Sequence, residues 1–240
     1  MDRYIDMHCH ILPGVDDGAQ NLEETRQMLQ IAFNEGTRLI IATPHHHPRR
    51  GHKRPEILNK QLRLVRAEAA KISDKFRIYL GTEVFFGQDV PEKINRGEIL
   101  TMNKRNTVLL EFSPSDGYDY IRQGVQQVQM TGNQVIIAHA ERYQCLLDDI
   151  GYAEELCDMG ASIQVNAGSI IGDGGRRAKK FVKELMDEDM VFGVGTDAHG
   201  VQTRAPKMKK AADYVKKKYG EEYMRRIFFD NAATLLRKRK

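Results

Sequence analysis

Seven short runs rich in apolar and β-branched residues recur along this chain: 4–8 (YIDMH), 38–43 (RLIIAT), 77–83 (RIYLGTE), 107–112 (TVLLEF), 134–139 (QVIIAH), 161–166 (ASIQVN) and 191–197 (VFGVGTD). Longer amphipathic stretches lie between them, such as 21–36 and 55–72. Asn21 is placed to cap the first of these helices and Gly36 to end it. Gly132 and Gly160 close two later ones. Strands that alternate with helices predict parallel pairing through crossovers, so the fold class is α/β. Both a doubly wound sheet and a closed barrel fit the alternation.

The residues at the strand ends separate the two. His8 and His10 close the first run, and Asp16 and Asp17 follow in GVDDG. His45 follows the second run. Glu83 ends the third, Glu111 the fourth, His139 the fifth, and Asp197 with His199 the seventh. The sixth offers Gln164 and Asn166. A barrel gathers all its strand ends at one mouth, where active sites sit, whereas an open sheet spreads them along a line. Convergence therefore favours a distorted barrel of about seven strands.

The same residues predict a metal centre. The histidines stand at 8, 10, 45, 46, 47, 52, 139 and 199, none inside a predicted helix. In an extended strand, residues two apart face one side, so His8 and His10 can share an ion. Glu83 and Glu111 end apolar strands, where an unpaired carboxylate is costly to bury. Imidazoles mixed with carboxylates suit Zn²⁺, Mn²⁺ or Fe²⁺. The ligands outnumber what one ion takes, so two or three ions are expected, with Glu83 bridging. Cys9 alternates with the two histidines and should face away from the metal.

Composition bounds the rest. The 240 residues are 41% hydrophobic and 29% charged, ordinary for a globular domain, and are read as one domain spanning 1–240. No run approaches a membrane span, and the N-terminus lacks an apolar signal region. The three cysteines show no paired spacing, which points to a reducing cytoplasm. Six residues after Cys9, Cys145 and Cys157 stand Val15, Gly151 and Ile163. The C-x₅-R loop of a cysteine-nucleophile phosphatase is thus missing. Residues 201–240 carry 13 Lys+Arg against 4 Asp+Glu. The stretch from 212 to 240 reads as a solvated basic helix, with nucleic acid or an acidic membrane surface as the alternative contact.

Six motifs, IDMHCHILPGVDDGA, IIATPHH, GTEV, LLEF, IAHAERY and GTDAH, together resemble the PHP (polymerase and histidinol phosphatase) family. They most resemble its bacterial protein-tyrosine phosphatases associated with capsule and exopolysaccharide tyrosine kinases. The resemblance spans nearly the whole chain and implies the family's distorted (β/α)7 TIM-like barrel. It implies one ion held by His8, His10, Glu83 and Asp197, a second by Glu83, Glu111 and His139, and a third by Asp17, His45 and His199. Mn²⁺ is the expected metal, with Fe²⁺, Zn²⁺ or Co²⁺ as substitutes. Arg142 and Arg204 match the family's phosphate-binding arginines, and Asp17 or His199 is the candidate general acid.

The implied activity is hydrolysis of phosphotyrosine by a metal-activated hydroxide. The expected substrate is a bacterial tyrosine kinase or its substrates, with regulation of capsule or exopolysaccharide synthesis. A homo-oligomer is compatible with the sequence. The competing readings are a small-molecule phosphatase such as histidinol phosphatase, a PHP nuclease, and a non-enzymatic metal-stabilised module regulating a kinase. The segment 44–54 (PHHHPRRGHKR) departs from the family pattern in being strongly basic. It reads as a recruiter of anionic substrate or as a solvated loop.

Overall fold

The computed structural model describes residues 3–236. In chain order its elements begin with β1 (Tyr4–Cys9), α1 (Leu22–Asn34), β2 (Thr37–Ala42), β3 (His45–His46) and α2 (Pro55–Ile72). Then come β4 (Arg77–Leu80), β5 (Glu83–Phe85), α3 (Val90–Asn95), β6 (Thr107–Glu111), α4 (Tyr118–Gln129) and β7 (Gln134–Ile137). The last part holds α5 (Gln144–Asp148), α6 (Gly151–Asp158), β8 (Ser162–Asn166), α7 (Ala167–Ile171), α8 (Gly175–Asp187), β9 (Val191–Gly195), α9 (Lys209–Tyr219), α10 (Glu221–Arg225) and α11 (Asn231–Thr234).

All strand pairs are parallel, in the orders β1-β2-β4 and β3-β5-β6-β7-β8-β9. Among the described residues nine strands answer to seven predicted runs, because the third run is interrupted and a short strand, β3, lies past the end of the second. The chain pauses at Thr43-Pro44 before β3, and the third run breaks at Gly81-Thr82. Pairing continues across the breaks through Gly81 N–H to Ala42 O (2.8 Å) and Glu83 N–H to Pro44 O (3.1 Å). The end of β9 returns to β1: Asp197 N–H donates to His8 O (2.7 Å) and His10 N–H to Ala198 O (2.9 Å). A side chain could not stand between them, since a Cβ on Gly195 would lie 2.5 Å from His8 Cβ. This is the α/β architecture expected, its parallel strands lying in two sheets that meet at the strand ends.

The apolar residues sort by strand parity. Val108, Leu110, Val135 and Ile137 pack outward beneath α4 and its neighbours, and Ile40, Ala42, Ile78 and Leu80 beneath α1 and α2. Ile5, Met7, Ile41, Leu109 and Ile136 meet in a separate cluster with Ala232 and Leu235 from the C-terminal segment. Cys9 belongs to the outward cluster, with no exposure. In β1 the pairing slips between Asp6 and Cys9. Asp6 consequently leaves the side of the histidines and accepts from the backbone N–H groups of His8 (3.2 Å) and Thr196 (2.9 Å).

Asn21 caps α1 as expected, accepting from Glu24 N–H, and Gly36, Gly132 and Gly160 take positive φ past their helices. The basic C-terminal stretch corrects the reading of one solvated helix. It breaks at Gly220 (φ +92°), passes through a π-type turn at Arg226–Asp230, and buries Ile227, Phe228, Ala232 and Leu235. Phe228 packs on Tyr4 with ring centroids 5.7 Å apart. Its aromatic and aliphatic residues thus serve the core. Several of its charges are paired, as in Arg226–Asp189 and Arg225–Asp230 (3.1 Å). The terminal basic run at 237–240 lies outside the described residues.

Candidate metal centre

The strand ends converge on Glu83. This carboxylate is fully buried at the start of β5. Its Oε1 lies 3.2 Å from His8 Nε2 and 2.8 Å from His139 Nε2. Its Oε2 lies 3.2 Å from His10 Nε2 and 2.9 Å from His45 Nδ1. Asp197 Oδ1 stands 3.5 Å from His8 Nε2, His10 Nε2 and His199 Nδ1. Glu111 lies 3.7 Å from both His45 Nδ1 and His139 Nε2. At the mouth, Asp17 Oδ1 meets His45 Nε2 at 3.2 Å and His199 Nε2 at 3.4 Å.

Among the described residues three sets of donor atoms are close enough to hold an ion: His8, His10, Glu83 and Asp197; His10, Asp17, His45 and His199; and His45, Glu83 and Glu111. The first coincides with a set implied by the family resemblance. The second adds His10 to the implied Asp17, His45 and His199. In the third, His45 stands where His139 was expected, while His139 remains within 2.8 Å of Glu83.

The hydrogen bonds behind the histidines show that these residues suit a cation. His8 Nδ1 is 3.0 Å from Gln164 Oε1, which also accepts from His139 N–H (2.8 Å). His10 Nδ1 is 2.8 Å from Asp16 Oδ2. Each Nδ1 therefore carries a proton, and each neutral ring turns a lone pair inward through Nε2. Those two nitrogens face each other at 3.2 Å, beside the Glu83 oxygens. His199 Nδ1 is likewise 2.9 Å from Asp197 O, which turns its Nε2 toward Asp17. Lone pairs aimed at one another and at carboxylates are repulsive unless protons or cations lie between them. Several buried atoms, among them Glu83 Oε2, Glu111 Oε2, Asp197 Oδ1 and His199 Nε2, have no partner in hydrogen-bond geometry.

Protons fill that role in the cation-free state. Burial pulls His10 down, but Asp16 and Glu83 outweigh it and lift the ring to about 10. His45, opposed by burial, is raised by Asp17 and Glu83 to about 9. Burial and the nearby Glu83 charge push Glu111 up to about 7. Burial followed by Arg142 lowers His139 to about 4. Burial opposes ionisation of Glu83, but the surrounding histidines hold it well below the usual carboxylate range.

Two arginines border the cluster on the Asp197 side. Arg142 donates to Asp197 Oδ2, and Arg204 Nη2 is 2.6 Å from Asp197 Oδ1. His139, Asp197 and Arg204 all adopt left-handed backbone, with φ of +31°, +51° and +53°. Such a conformation costs a non-glycine residue on the order of 1–3 kcal/mol and persists where surrounding structure enforces it. The paired aspartate of VDDG also matters: Asp16 orients His10 and accepts from His45 N–H (2.9 Å). Gln164, Asn166 and Asp16 are supporting groups that ligand chemistry alone does not single out. Their signal in the sequence is polar residues at alternate positions of an apolar strand, and a doubled aspartate.

A family model for capsular polysaccharide synthesis proteins, CpsB/CapC, matches residues 4–237. The chain belongs to the CpsB/CapC family. Tyrosine-protein phosphatase CpsB of Streptococcus pneumoniae is 32% identical over 237 residues, covering 97% of this chain and 98% of its own. Tyrosine-protein phosphatase YwqE of Bacillus subtilis is 30% identical, covering 97% and 91%. In structure, the chain resembles one reported for YwqE of Bacillus subtilis and CpsB of Streptococcus pneumoniae, described as unique metal-dependent tyrosine phosphatases. The TM-score is 0.89 at 29% identity, covering 97% of this chain and 94% of that one. Among the described residues no helix is long and apolar enough to cross a membrane.

Proposed function

We propose that this chain is a metal-dependent protein-tyrosine phosphatase acting on a bacterial tyrosine kinase or its substrates, and that it regulates capsule or exopolysaccharide synthesis. The observation that carries this reading is the inward-facing array of imidazole lone pairs and carboxylates around Glu83, bordered by Arg142 and Arg204. The family membership and the named relatives support the substrate class. We assign the ligands as His8, His10, Asp17, His45, Glu83, Glu111, His139, Asp197 and His199, with Mn²⁺ as the metal and residues 1–240 as one catalytic unit. The three unpaired thiols fit a reducing cytoplasm.

Bound divalent cations neutralise phosphoryl charge and activate water as the nucleophile. The chain's own groups do the rest. Arg142 and Arg204 present forked donors from one side, matched to phosphoryl oxygens, and stabilise charge that grows in the transition state. Their resting contact with Asp197 keeps both aimed at the cluster. A tyrosine phenolate, with a pKa near 10, is a better leaving group than an alkoxide. Asp17 and His199 stand together at the mouth, and whichever of them is not engaged by a cation is the candidate to give a proton to the departing oxygen.

The test is direct. Protein loaded with Mn²⁺ is assayed for kcat/KM on a phosphotyrosine peptide and on histidinol phosphate. Preference for the peptide, abolished by chelator, is expected. Preference for histidinol phosphate would preserve the metal centre and overturn the substrate.

A further inference from the structure

Two clefts flank Arg142, and they differ in chemistry. The larger, of about 1020 Å³, is bordered by charged groups such as Glu35, Asp173, Arg204, Lys207 and Lys210. The smaller, of about 570 Å³, opens on the Glu111 and His139 side of the cluster. Its walls include His47, Phe85, Phe112 and Pro114, and Arg50 stands at its edge.

Arg50 is held there by a built turn. His47 N–H donates to Gly51 O (2.8 Å), and Gly51 N–H to His47 O (3.2 Å). Inside that turn the ring nitrogen His47 Nδ1 accepts from Arg49 N–H (2.9 Å) and Arg50 N–H (3.2 Å). The turn is seated on the GVDDG loop. Gly51 has φ +131°, and a Cβ there would lie 2.9 Å from Val15 O. The His47 ring also packs on Phe85, with centroids 4.3 Å apart. The result is an exposed arginine on a fixed backbone, with Nη1 3.3 Å from Glu111 Oε1. Arg142 and Arg204 approach through Asp197, so Arg50 approaches the same cluster through a different carboxylate.

We propose that Arg50 is a third phosphoryl-binding arginine, and that the cleft between His47, Phe85 and Pro114 seats the tyrosyl ring. This rests on the phosphatase reading above. Were Glu111 to hold a cation, the Arg50 guanidinium would be released from its resting partner at the edge of the cluster and be free to take an anion there. A forked guanidinium then finds a planar pair of phosphate oxygens. The phosphoryl group is enclosed by arginines from both carboxylate walls. The aryl group extends away from the cations along an aromatic and proline surface, where its flat face gains apolar contact.

The experiment measures inorganic phosphate binding to Mn²⁺-loaded protein by calorimetry, alongside metal content and kinetics on p-nitrophenyl phosphate and a phosphotyrosine peptide. Arg50→Ala should weaken phosphate about tenfold or more, as expected for loss of a charged hydrogen bond, and retain its metal. Arg50→Lys should recover part of the loss. Pro114→Ala, on the wall of the cleft that does not carry the Arg50 turn, should raise KM for p-nitrophenyl phosphate while leaving phosphate affinity as in the wild type. Arg63→Ala, on the exposed face of α2, serves as the unaffected control. Wild-type phosphate affinity in Arg50→Ala would overturn the proposal. Loss of metal in that variant would also overturn it, since Arg50 would then act on Glu111. If the wild-type protein hydrolyses neither ester, the phosphatase reading fails, while phosphate calorimetry still decides Arg50.

Discussion

Loading the metal-free protein with Mn²⁺ should expel at least two protons at pH 7, from the rings of His10 and His45, with a further fraction from Glu111. In the cation-free state His10 titrates at about 10 and His45 at about 9, so both rings are charged at neutral pH. A metal ligand must be deprotonated. Removing a proton costs about 1.4 kcal/mol for each unit between pKa and pH. Three units for His10 and two for His45 sum to about 7 kcal/mol, which cation binding must exceed. Apparent affinity should consequently rise about a hundredfold between pH 7 and 8, because two protons leave together, and less steeply as His45 itself titrates near 9. The assay is calorimetric titration with Mn²⁺ in buffers of different ionisation enthalpy. The slope of observed enthalpy against buffer enthalpy counts the protons released. A slope of zero would refute the reasoning, because the carboxylates would then not be holding protons on the rings that a cation must displace.

The same groups set the pH dependence of folding. For His10 and His45 the folded-state values lie above the unfolded value of 6.5, so their stabilisation is full below that pH and is lost as pH rises through about 9 to 10. The metal-free protein should therefore show a Tm that falls between pH 7 and 9, and metal-loaded protein should not share that fall. Gln164→Leu removes the acceptor of both His8 Nδ1 and His139 N–H and should weaken metal binding about 10–100-fold, read by competition with a chromogenic chelator. Gly195→Ala forces a methyl against His8 Cβ and should reduce metal stoichiometry more than it reduces Tm. Phe228→Ala, far from the cluster in sequence and packed on Tyr4, should cost about 3–5 kcal/mol in urea unfolding with metal stoichiometry unchanged.

Much of this protein is legible in one dimension because its strands are short and its chemistry sits at their ends. Period-two alternation in runs such as TVLLE sends Val108 and Leu110 outward and Leu109 inward, and the residue after an apolar run must then face the mouth. His8, His10, Glu83, Glu111 and Asp197 are visible on that logic before any coordinates. Glycines past the helices are equally readable, since only they tolerate positive φ at little cost.

The tertiary structure decided what depends on angles between elements. The slip of β1 pairing between Asp6 and Cys9 sends Asp6 to Thr196 while His8 and His10 turn inward, and no alternation rule foretells a slip. The fixing of each Nδ1 proton by Gln164 and Asp16 belongs to partners up to 156 residues distant in sequence. The C-terminal segment looks solvated by charge alone. Gly220 breaks it, and it turns Phe228 and Leu235 into the interior, because burial of apolar surface outweighs the pattern of exposed lysines around it. Arg50 likewise reads as one more cation in a basic run. Only the turn closed by His47 and Gly51 sets it against Glu111, since that placement is fixed by backbone hydrogen bonds and by contact with a loop more than thirty residues earlier.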